Sequence, residues 1–518
     1  MKPVFVLVVA WAAVWSVSRG WRTGRTQEGA GGVLAAAVGV TVLAAYCATV
    51  VWYATRIEYM DPAEPTITAV AAVFNAGAPL YPALDAPERY ALIYGPVLFL
   101  THAAALAAVG PSILASKAVG ATAVLASLVL VFLVCRKDAG TATALLAAAA
   151  CALVYMGFGN VSFWTRSDPL LILCAAAALF AARARRWLPA AVLLGVVLGA
   201  AVNLKLTGPL YLLPAYGLAL AGHGSRAVLL GAVVAMPVAV APFLLPHVSF
   251  AHYREYFELA ARNGLMAAIF RQTLGWSVFL CAPLALGLWT RRRNTGEPIA
   301  LIAASVLVAF GIVSLAAAKP GGGPFHLLPF VPFLAYAVVR FSGDGLGHPA
   351  IRSLLLAFGV TATLFAVPKQ ATFIRTVRSR DLGPAVADAR RFADQHRRRG
   401  VAVGYAGTSY LSHARTEAVF RTGDYLIDAP AVQEHRLSGL PLPSSTMNAI
   451  DDCRIGYWLI PADGEPFLVP SAYFPYGPPD VFPAEFRAAF LDRHVRTTRI
   501  GPFDVWECRT RKTPMAMR

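Results

Sequence analysis

Charge is scarce in this chain. Only 14% of its 518 residues are Asp, Glu, Lys or Arg, against about 25% in an ordinary soluble domain. That deficit excludes a typical cytosolic enzyme. Acidic residues are the scarcer half, 28 against 45 basic, which leaves a formal net charge of +17. The basic residues fall in short clusters between apolar segments, so they read as topology signals and not as a surface for nucleic acid. The sequence contains no Cys-x-x-Cys, His-Glu-x-x-His, Gly-x-Ser-x-Gly or phosphate-loop pattern. Zinc-protease, soluble-hydrolase and ATP-driven pump readings therefore lack support. His102, His247 and His252 are too dispersed to argue a metal site. Of the seven cysteines, Cys47, Cys135, Cys151, Cys174 and Cys281 lie in or at apolar segments, where a free thiol behaves as a small hydrophobe. Cys453 and Cys508 lie in a more polar tail, where an oxidising compartment would allow them to pair or leave them free.

What the chain has in abundance is apolar sequence, 57% by residue, with a mean hydropathy of +0.58. Runs such as 32–51, 112–134 and 299–317 are long enough to cross a hydrocarbon core of roughly 30 Å, and with no water to satisfy the backbone there, each must be helical. Candidate spans lie near 3–18, 31–53, 113–134, 141–157, 167–182, 188–203, 207–222, 226–246, 274–290, 298–317, 326–340 and 352–368. The stretch 3–18 follows a single Lys2 and precedes no small-residue cleavage pattern, so it reads as a retained first span and not a signal peptide.

Alternating the loops across the membrane separates the charges by kind. One side collects Arg19, Arg22, Arg25, Arg136, Lys137, Arg183, Arg185, Arg186, Arg226, Arg291, Arg292, Arg293, Arg340 and Arg352, opposed there by Glu28, Asp138, Glu297 and Asp344. The other side receives Glu58, Asp61, Glu64, Asp85, Glu88, Asp168, Glu255 and Glu258. Since positive residues favour the cytoplasmic side, the acidic face is the outer one. Two long outer loops result, 54–112 and 247–273. Within the first, 94–109 reads as a helix along the membrane surface, introduced by the turn Gly95-Pro96. In the second, Arg254, Arg262 and Arg271 suggest one face of a surface helix touching lipid headgroups. From Lys369 onward the pattern is that of ordinary globular sequence: a charged helix near 383–399 and strands near 401–405, 457–460, 495–500 and 503–507. The expected fold class is thus an α-helical polytopic membrane protein of about twelve transmembrane helices, with a small C-terminal extracytoplasmic α/β domain. Residues 1–368 form the membrane domain and 369–518 the tail domain.

The residues with chemical potential crowd the outer face. Tyr59-Met60-Asp61-Pro62-Ala63-Glu64-Pro65 places two carboxylates three residues apart just after a span. On a helical turn they would share a face, and partial desolvation there raises a carboxyl pKa and suits it to proton abstraction or metal coordination. The competing reading is a solvated loop start with Pro62 and Pro65 as turn residues. Farther on come Gly77-Ala78-Pro79-Leu80-Tyr81-Pro82, Tyr90-Ala91-Leu92-Ile93-Tyr94-Gly95-Pro96 and Gly110-Pro111-Ser112. Later outer segments are Phe163-Trp164-Thr165-Arg166-Ser167-Asp168-Pro169, Asn203-Leu204-Lys205-Leu206-Thr207-Gly208 and the stretch from Lys319 through Gly321-Gly322-Gly323 to His326 and Pro329.

In order and sidedness this arrangement, over most of residues 31–370, resembles the GT-C superfamily of membrane glycosyltransferases. These use polyprenyl-phosphate-linked sugars, as the protein O-mannosyltransferases and aminoarabinose transferases do. The resemblance implies a GT-C-like membrane domain. It also implies a base or metal-binding role for Asp61 beside Glu64, with Asp168 at the acidic position of the second outer loop. The chain departs from the adjacent acidic pair of some members, since Pro62 and Ala63 intervene. Arg166, Lys205, Lys319 and His326 suit a lipid-phosphate donor, because a departing phosphate needs cationic partners. The plainer alternative is that Lys205 and Lys319 snorkel from helix ends and His326 caps a span. The implied activity is transfer of a sugar from a polyprenyl phosphate to a glycan, lipid or protein acceptor at the extracytoplasmic face of a bacterial plasma membrane. No cofactor is fixed, and a divalent metal is left open. A transporter or lipid flippase, or a non-catalytic envelope scaffold, are the competing classes. Transporters favour midplane charges and inverted repeats, and neither is visible.

Overall fold

The computed structural model describes residues 2–18, 28–90, 93–291, 299–342, 349–408, 410–473, 475 and 477–509. Arg19, Arg22, Arg25, Arg292, Arg293, Glu297 and Asp344 of the inner loops, with Ala91 and Leu92 of the first outer loop, lie outside the described residues. The chain opens with apolar helices α1 (Lys2–Ser18) and α2 (Glu28–Ala54), then the shorter α3 (Ala63–Asn75) and α4 (Pro96–Val109). Next come α5 (Ile113–Met156), α6 (Asp168–Ala182), α7 (Trp187–Val202), α8 (Leu213–His223) and α9 (Ser225–Val240). The helical part closes with α10 (Phe250–Ala261), α11 (Ala267–Arg291), α12 (Ile299–Ala316), α13 (Val331–Ser342) and α14 (Pro349–Ser379).

Among the described residues, four helical stretches are long and apolar enough to cross a membrane by length and composition: 33–54, 113–156, 225–244 and 352–379. Shorter apolar helices, α6 and α7 among them, pack against these. Val33, Leu229, Val233, Met236 and Leu307 stand exposed on the bundle surface, a liability in water but the natural outer face of a protein in lipid.

The helix α5 is two antiparallel helices. Its backbone breaks at Gly140 (φ 78°, ψ 174°), a conformation that costs glycine little and other residues more. Lys117 near its start approaches the Tyr53 ring at 3.7 Å, and Asn160 just past its end donates to Glu64, which Tyr53 also contacts. Asp138, in the middle, instead accepts two bonds of 3.1 Å from Arg183 at the far end of α6. Both ends of α5 thus meet at one end of the bundle and its middle lies at the other, so the chain reverses at Gly140.

One expected element takes a different form. The basic residues Arg254, Arg262 and Arg271 do not share a surface helix: α10 ends at Ala261, Asn263-Gly264 interrupts the chain, and Arg271 belongs to α11. Arg254 is instead paired with Glu258 at 2.7 Å.

Beyond α14 the chain folds around a mixed sheet. Its strands are β1 (Val401–Val403), β2 (Tyr457–Pro461), β3 (His494–Ile500) and β4 (Phe503–Cys508), and its helices are α15 (Gly383–His396), α16 (Arg415–Thr422), α17 (Ala429–Leu437), α18 (Ser444–Asp451) and α19 (Ala484–Arg493). Strand order is β1-β2-β4-β3, with β1 parallel to β2 and the other pairs antiparallel. The period of two in the sequence places Val401, Val403, Leu459 and Val505 on one core with α15 and α16. Ala402, Trp458 and Ile460 face a second core with Phe486 and Phe490 of α19. Cys453 and Cys508 are joined by a disulfide, with Cα atoms 5.9 Å apart.

This sheet unit is bolted to the first outer stretch of the bundle. Arg89 donates its amide to Leu426 and receives that of Asp428, at 2.8 and 2.7 Å, forming a bridge with Ile427. Tyr90 stacks on Tyr425, with ring centroids 5.0 Å apart. The buried Arg415 donates to the carbonyl of Pro62 and to the Thr66 hydroxyl at 2.6 and 2.9 Å, and pairs with Asp428 at 3.1 Å. The start of α3, and Asp61 just before it, are therefore held from above by the tail.

Candidate active site

Asp61 and Glu64 part company because Pro62 delays the helix. Asp61 precedes α3, its Oδ1 accepting the Ala63 amide at 2.9 Å, while Oδ2 faces outward to the Arg166 guanidinium at 3.4 Å. Its side chain keeps 27% exposure, enough for a ligand to reach it. Glu64 sits on the first turn of α3, fully buried. Its Oε1 accepts from the Tyr53 hydroxyl at 2.8 Å, Asn160 at 3.0 Å, and the amides of Met60 at 3.1 Å and Asp61 at 3.2 Å. Its Oε2 accepts the Thr165 amide at 3.4 Å. Burial pushes the Glu64 carboxyl above its usual range, against the pull of the Lys117 ammonium. Glu64 thus joins the first outer loop to the second, and its oxygens are committed to that task.

Arg166 is the hub. Its Nε donates to the Tyr94 hydroxyl at 2.7 Å and its Nη1 to Asp61. The guanidinium lies over the Trp164 ring at 4.2 Å and faces the Phe325 ring at 5.4 Å. Burial opposes its charge, but Tyr94, Asp61 and Asp168 outweigh burial and hold its pKa above the ordinary arginine value. Gly95 permits this arrangement, since a Cβ there would sit 2.1 Å from the Asn203 carbonyl oxygen. The close approach lets the amides of Gly95 and Val97 bond Leu204 and Asn203, which brings Tyr94 and the Lys205 segment together.

Asp168 opens α6, where the helix dipole favours an anion. Its Oδ2 accepts the Trp164 indole N–H at 3.1 Å, while Oδ1 is buried without a hydrogen-bond partner. Lys205 follows the C-terminus of α7, where the dipole favours a cation, and its Nζ lies 2.9 Å from Nδ1 of His326. Burial pushes the Lys205 ammonium down to about 8, with Asp168 raising it and Arg166 lowering it further. Asp61, Arg166, Asp168, Lys205 and His326 therefore form one electrostatic group. Lys319 does not join it, for its Nζ donates to the carbonyl of Ala260 at 2.8 Å. Asp61, Glu64 and Asp168 do not converge as ligands. Among the described residues, the three-ligand group is Cys453, His494 and Cys508 in the tail, where the two sulfurs are already bonded to each other.

Sequence reasoning passed over two tail residues that act on this site electrostatically. Glu434 on α17 lies within electrostatic reach of Arg166, and burial pushes its carboxyl up to about 8. Tyr473 is influenced by Arg166, Glu434 and Asp61 together, and burial raises its phenol. Neither sits in a recognisable local pattern. Tyr94, Trp164 and Phe325, which frame the guanidinium, carried only the weak signal of adjacency to polar residues.

The fold as a whole has counterparts among solved structures. The chain is similar to the crystal structure of ArnT from Cupriavidus metallidurans in the apo state, at a TM-score of 0.55 and 14% sequence identity, over 90% of this chain and 97% of that one. It is also similar to ArnT from the same organism bound to undecaprenyl phosphate, at a TM-score of 0.54, 12% identity and the same coverage, 90% and 97%. No family model and no curated protein matches the sequence.

Proposed function

We propose that this protein is an inverting glycosyltransferase of a bacterial plasma membrane, moving a sugar from a polyprenyl-phosphate donor to an envelope acceptor at the extracytoplasmic face. The carrying observation is the pairing of a ligand-accessible carboxylate, Asp61, with a largely buried cation, Arg166, backed by Lys205 and His326. Transfer from a sugar phosphate needs a base for the attacking hydroxyl and a cation for the departing phosphate. The ArnT structure bound to undecaprenyl phosphate supports a lipid-phosphate donor.

In this reading the acceptor hydroxyl attacks the anomeric carbon as the bond from that carbon to the phosphate oxygen breaks. Asp61 takes the hydroxyl proton, and the phosphate leaves with the bonding electrons. Arg166 and Lys205 stabilise the charge that gathers on it, in surroundings that exclude water. Asp168 keeps both cations charged and oriented, and Glu64 fixes the loop that carries Asp61. About twelve crossings, counting the shorter apolar helices, would leave the donor's isoprenoid tail in lipid. The membrane domain 1–368 would hold the donor, and the tail 369–518 would cover the site from outside.

The test is release or transfer of label from a panel of radiolabelled undecaprenyl- and decaprenyl-phosphate sugars by purified protein in nanodiscs. Turnover of one donor is expected. No turnover of any donor by well-folded protein would move the assignment to transport or to a scaffold.

A further inference from the structure

A cavity of about 1100 Å³ lies away from the site already described, between α2, α5 and α14, with α11 and α13 behind it. Both α2 and α14 pack on α5, and the cavity is the gap they leave. Val38, Leu356, Val360 and Leu364 line it and stand exposed, so the gap opens sideways from the bundle into lipid. The charged residues among its lining are Asp138 and Arg352, both at one end, and the walls between are apolar. Water finds few polar partners there, while an empty gap forfeits dispersion contacts. A hydrocarbon chain supplies them.

The two ends of the cavity differ in kind. Toward the outer face, Trp276 packs between Phe158 and Phe365, with ring centroids 4.7 and 5.4 Å away, and Phe279 stacks on Phe358 at 4.7 Å. The rings of Phe158, Trp276 and Phe365 lie just beyond the lining residues Val154, Leu280 and Leu364 and close the cavity toward Asn160 and Glu64. At the other end Asp138 is already matched, by Arg183 at 3.1 Å and by the Tyr336 hydroxyl at 3.0 Å. Arg352 shares that side of the bundle with Arg136, Lys137 and Arg340, so the open end is basic. From Arg352 to Leu364 the wall runs along α14 for about 18 Å at helical rise. One leaflet, half of a roughly 30 Å hydrocarbon core, has a comparable depth.

We infer that this cavity holds one anionic phospholipid of the inner leaflet, an acyl chain filling the apolar gap and the headgroup lying against Arg352. Basic pockets between membrane helices on the cytoplasmic side suit anionic headgroups. The depth fits an acyl chain, and the ring cluster separates that chain from any lipid whose phosphate sits at the outer site. Seated there, the phospholipid braces α14 against α2 and α5, and α14 leads straight into the sheet unit.

The experiment titrates delipidated full-length protein in detergent with dioleoylphosphatidylglycerol or dioleoylphosphatidylcholine and counts retained lipid by native mass spectrometry. Wild type should retain one phosphatidylglycerol, bound about fivefold tighter than phosphatidylcholine, the effect of one engaged cation. Arg352→Gln, at an exposed position, should lose that preference while phosphatidylcholine affinity stays within about twofold. Gly359 lines the cavity, and a Cβ there would meet nothing within 4 Å, so Gly359→Phe puts a ring into the gap without a backbone clash. Displacing two or three methylenes of the chain should weaken phosphatidylglycerol about tenfold or more, with thermal stability and undecaprenyl phosphate binding held. Retention of phosphatidylglycerol by Gly359→Phe at the wild-type level overturns the inference, as does equal affinity of wild type for the two phospholipids. Joint loss of phospholipid and undecaprenyl phosphate in a folded Gly359→Phe protein also overturns it and gives the cavity to an isoprenoid chain. If Gly359→Phe folds poorly, Arg352→Gln decides: an undiminished preference for phosphatidylglycerol refutes the headgroup contact.

Discussion

Replacing Arg166 removes the charge on which the proposed leaving-group stabilisation depends. In Arg166→Ala the Tyr94 hydroxyl loses its 2.7 Å donor and Asp61 its 3.4 Å partner, but Asp61 keeps the Ala63 amide and partial access to solvent. The Tyr94 hydroxyl is left buried without its donor, so folding should weaken by roughly 1–3 kcal/mol. Catalysis should change more, because removing one preorganised donor from a developing oxyanion costs about 2.7–4 kcal/mol, or roughly 10²- to 10³-fold in kcat. Arg166→Lys restores the charge without the fork that spans Tyr94 and Asp61. One charge-assisted contact, about 1.5 kcal/mol, is then missing, and a loss of roughly tenfold relative to wild type remains. The assay is steady-state transfer from a saturating labelled donor, with thermal unfolding run in parallel to separate folding from chemistry. The reasoning is refuted if Arg166→Ala turns over within about threefold of wild type, or if Lys and Ala variants are equally impaired.

Three further outcomes follow from named contacts. Burial holds the Lys205 ammonium down to about 8, and it binds phosphate only when protonated, so affinity for undecaprenyl phosphate should fall as pH rises through that value. Lys205→Arg should keep affinity flatter across pH 8, and an unchanged wild-type profile in that variant would contradict the assignment. Arg415→Ala leaves Asp428 buried and uncompensated beside Tyr405. Such a change costs about 3–5 kcal/mol, and faster proteolytic cleavage between 380 and 430 would report it. Opening the Cys453–Cys508 bridge by Cys453→Ser frees a segment of 55 residues, and loop-closure entropy puts the loss at about 4 kcal/mol in the tail, readable by hydrogen exchange in β2 and β4.

Much of the fold could be read from the sequence because its determinants are local. The polar break Arg136-Lys137-Asp138 followed by Gly140 marks the reversal inside α5. The alternation of Val401 to Val403, Tyr457 to Pro461 and Phe503 to Cys508 marks the strands. Asp61, Arg166, Asp168 and Lys205 were legible as candidates because each stands at the end of an apolar run. The division between Asp61 and Glu64 was not legible, since a spacing of three gives a shared face only if the helix has already begun, and α3 begins at Ala63. At Lys319 a cation beside three glycines suggests phosphate, and the structure shows its Nζ on the Ala260 carbonyl, a contact the sequence does not announce. Glu434 and Tyr473 were invisible. Their position depends on the docking of the tail through Arg89, Tyr425 and Arg415, contacts hundreds of residues apart in sequence that no local pattern announces.

The most direct test of the account is transfer by Asp61→Asn, which keeps the size and the Ala63 contact but cannot take a proton. With a donor that the wild-type protein uses, Asp61→Asn should bind undecaprenyl phosphate about as well as wild type and lose roughly 10²- to 10⁴-fold in kcat, the contribution of a positioned general base. Turnover by Asp61→Asn within about threefold of wild type would contradict the claim that the chemistry centres on Asp61.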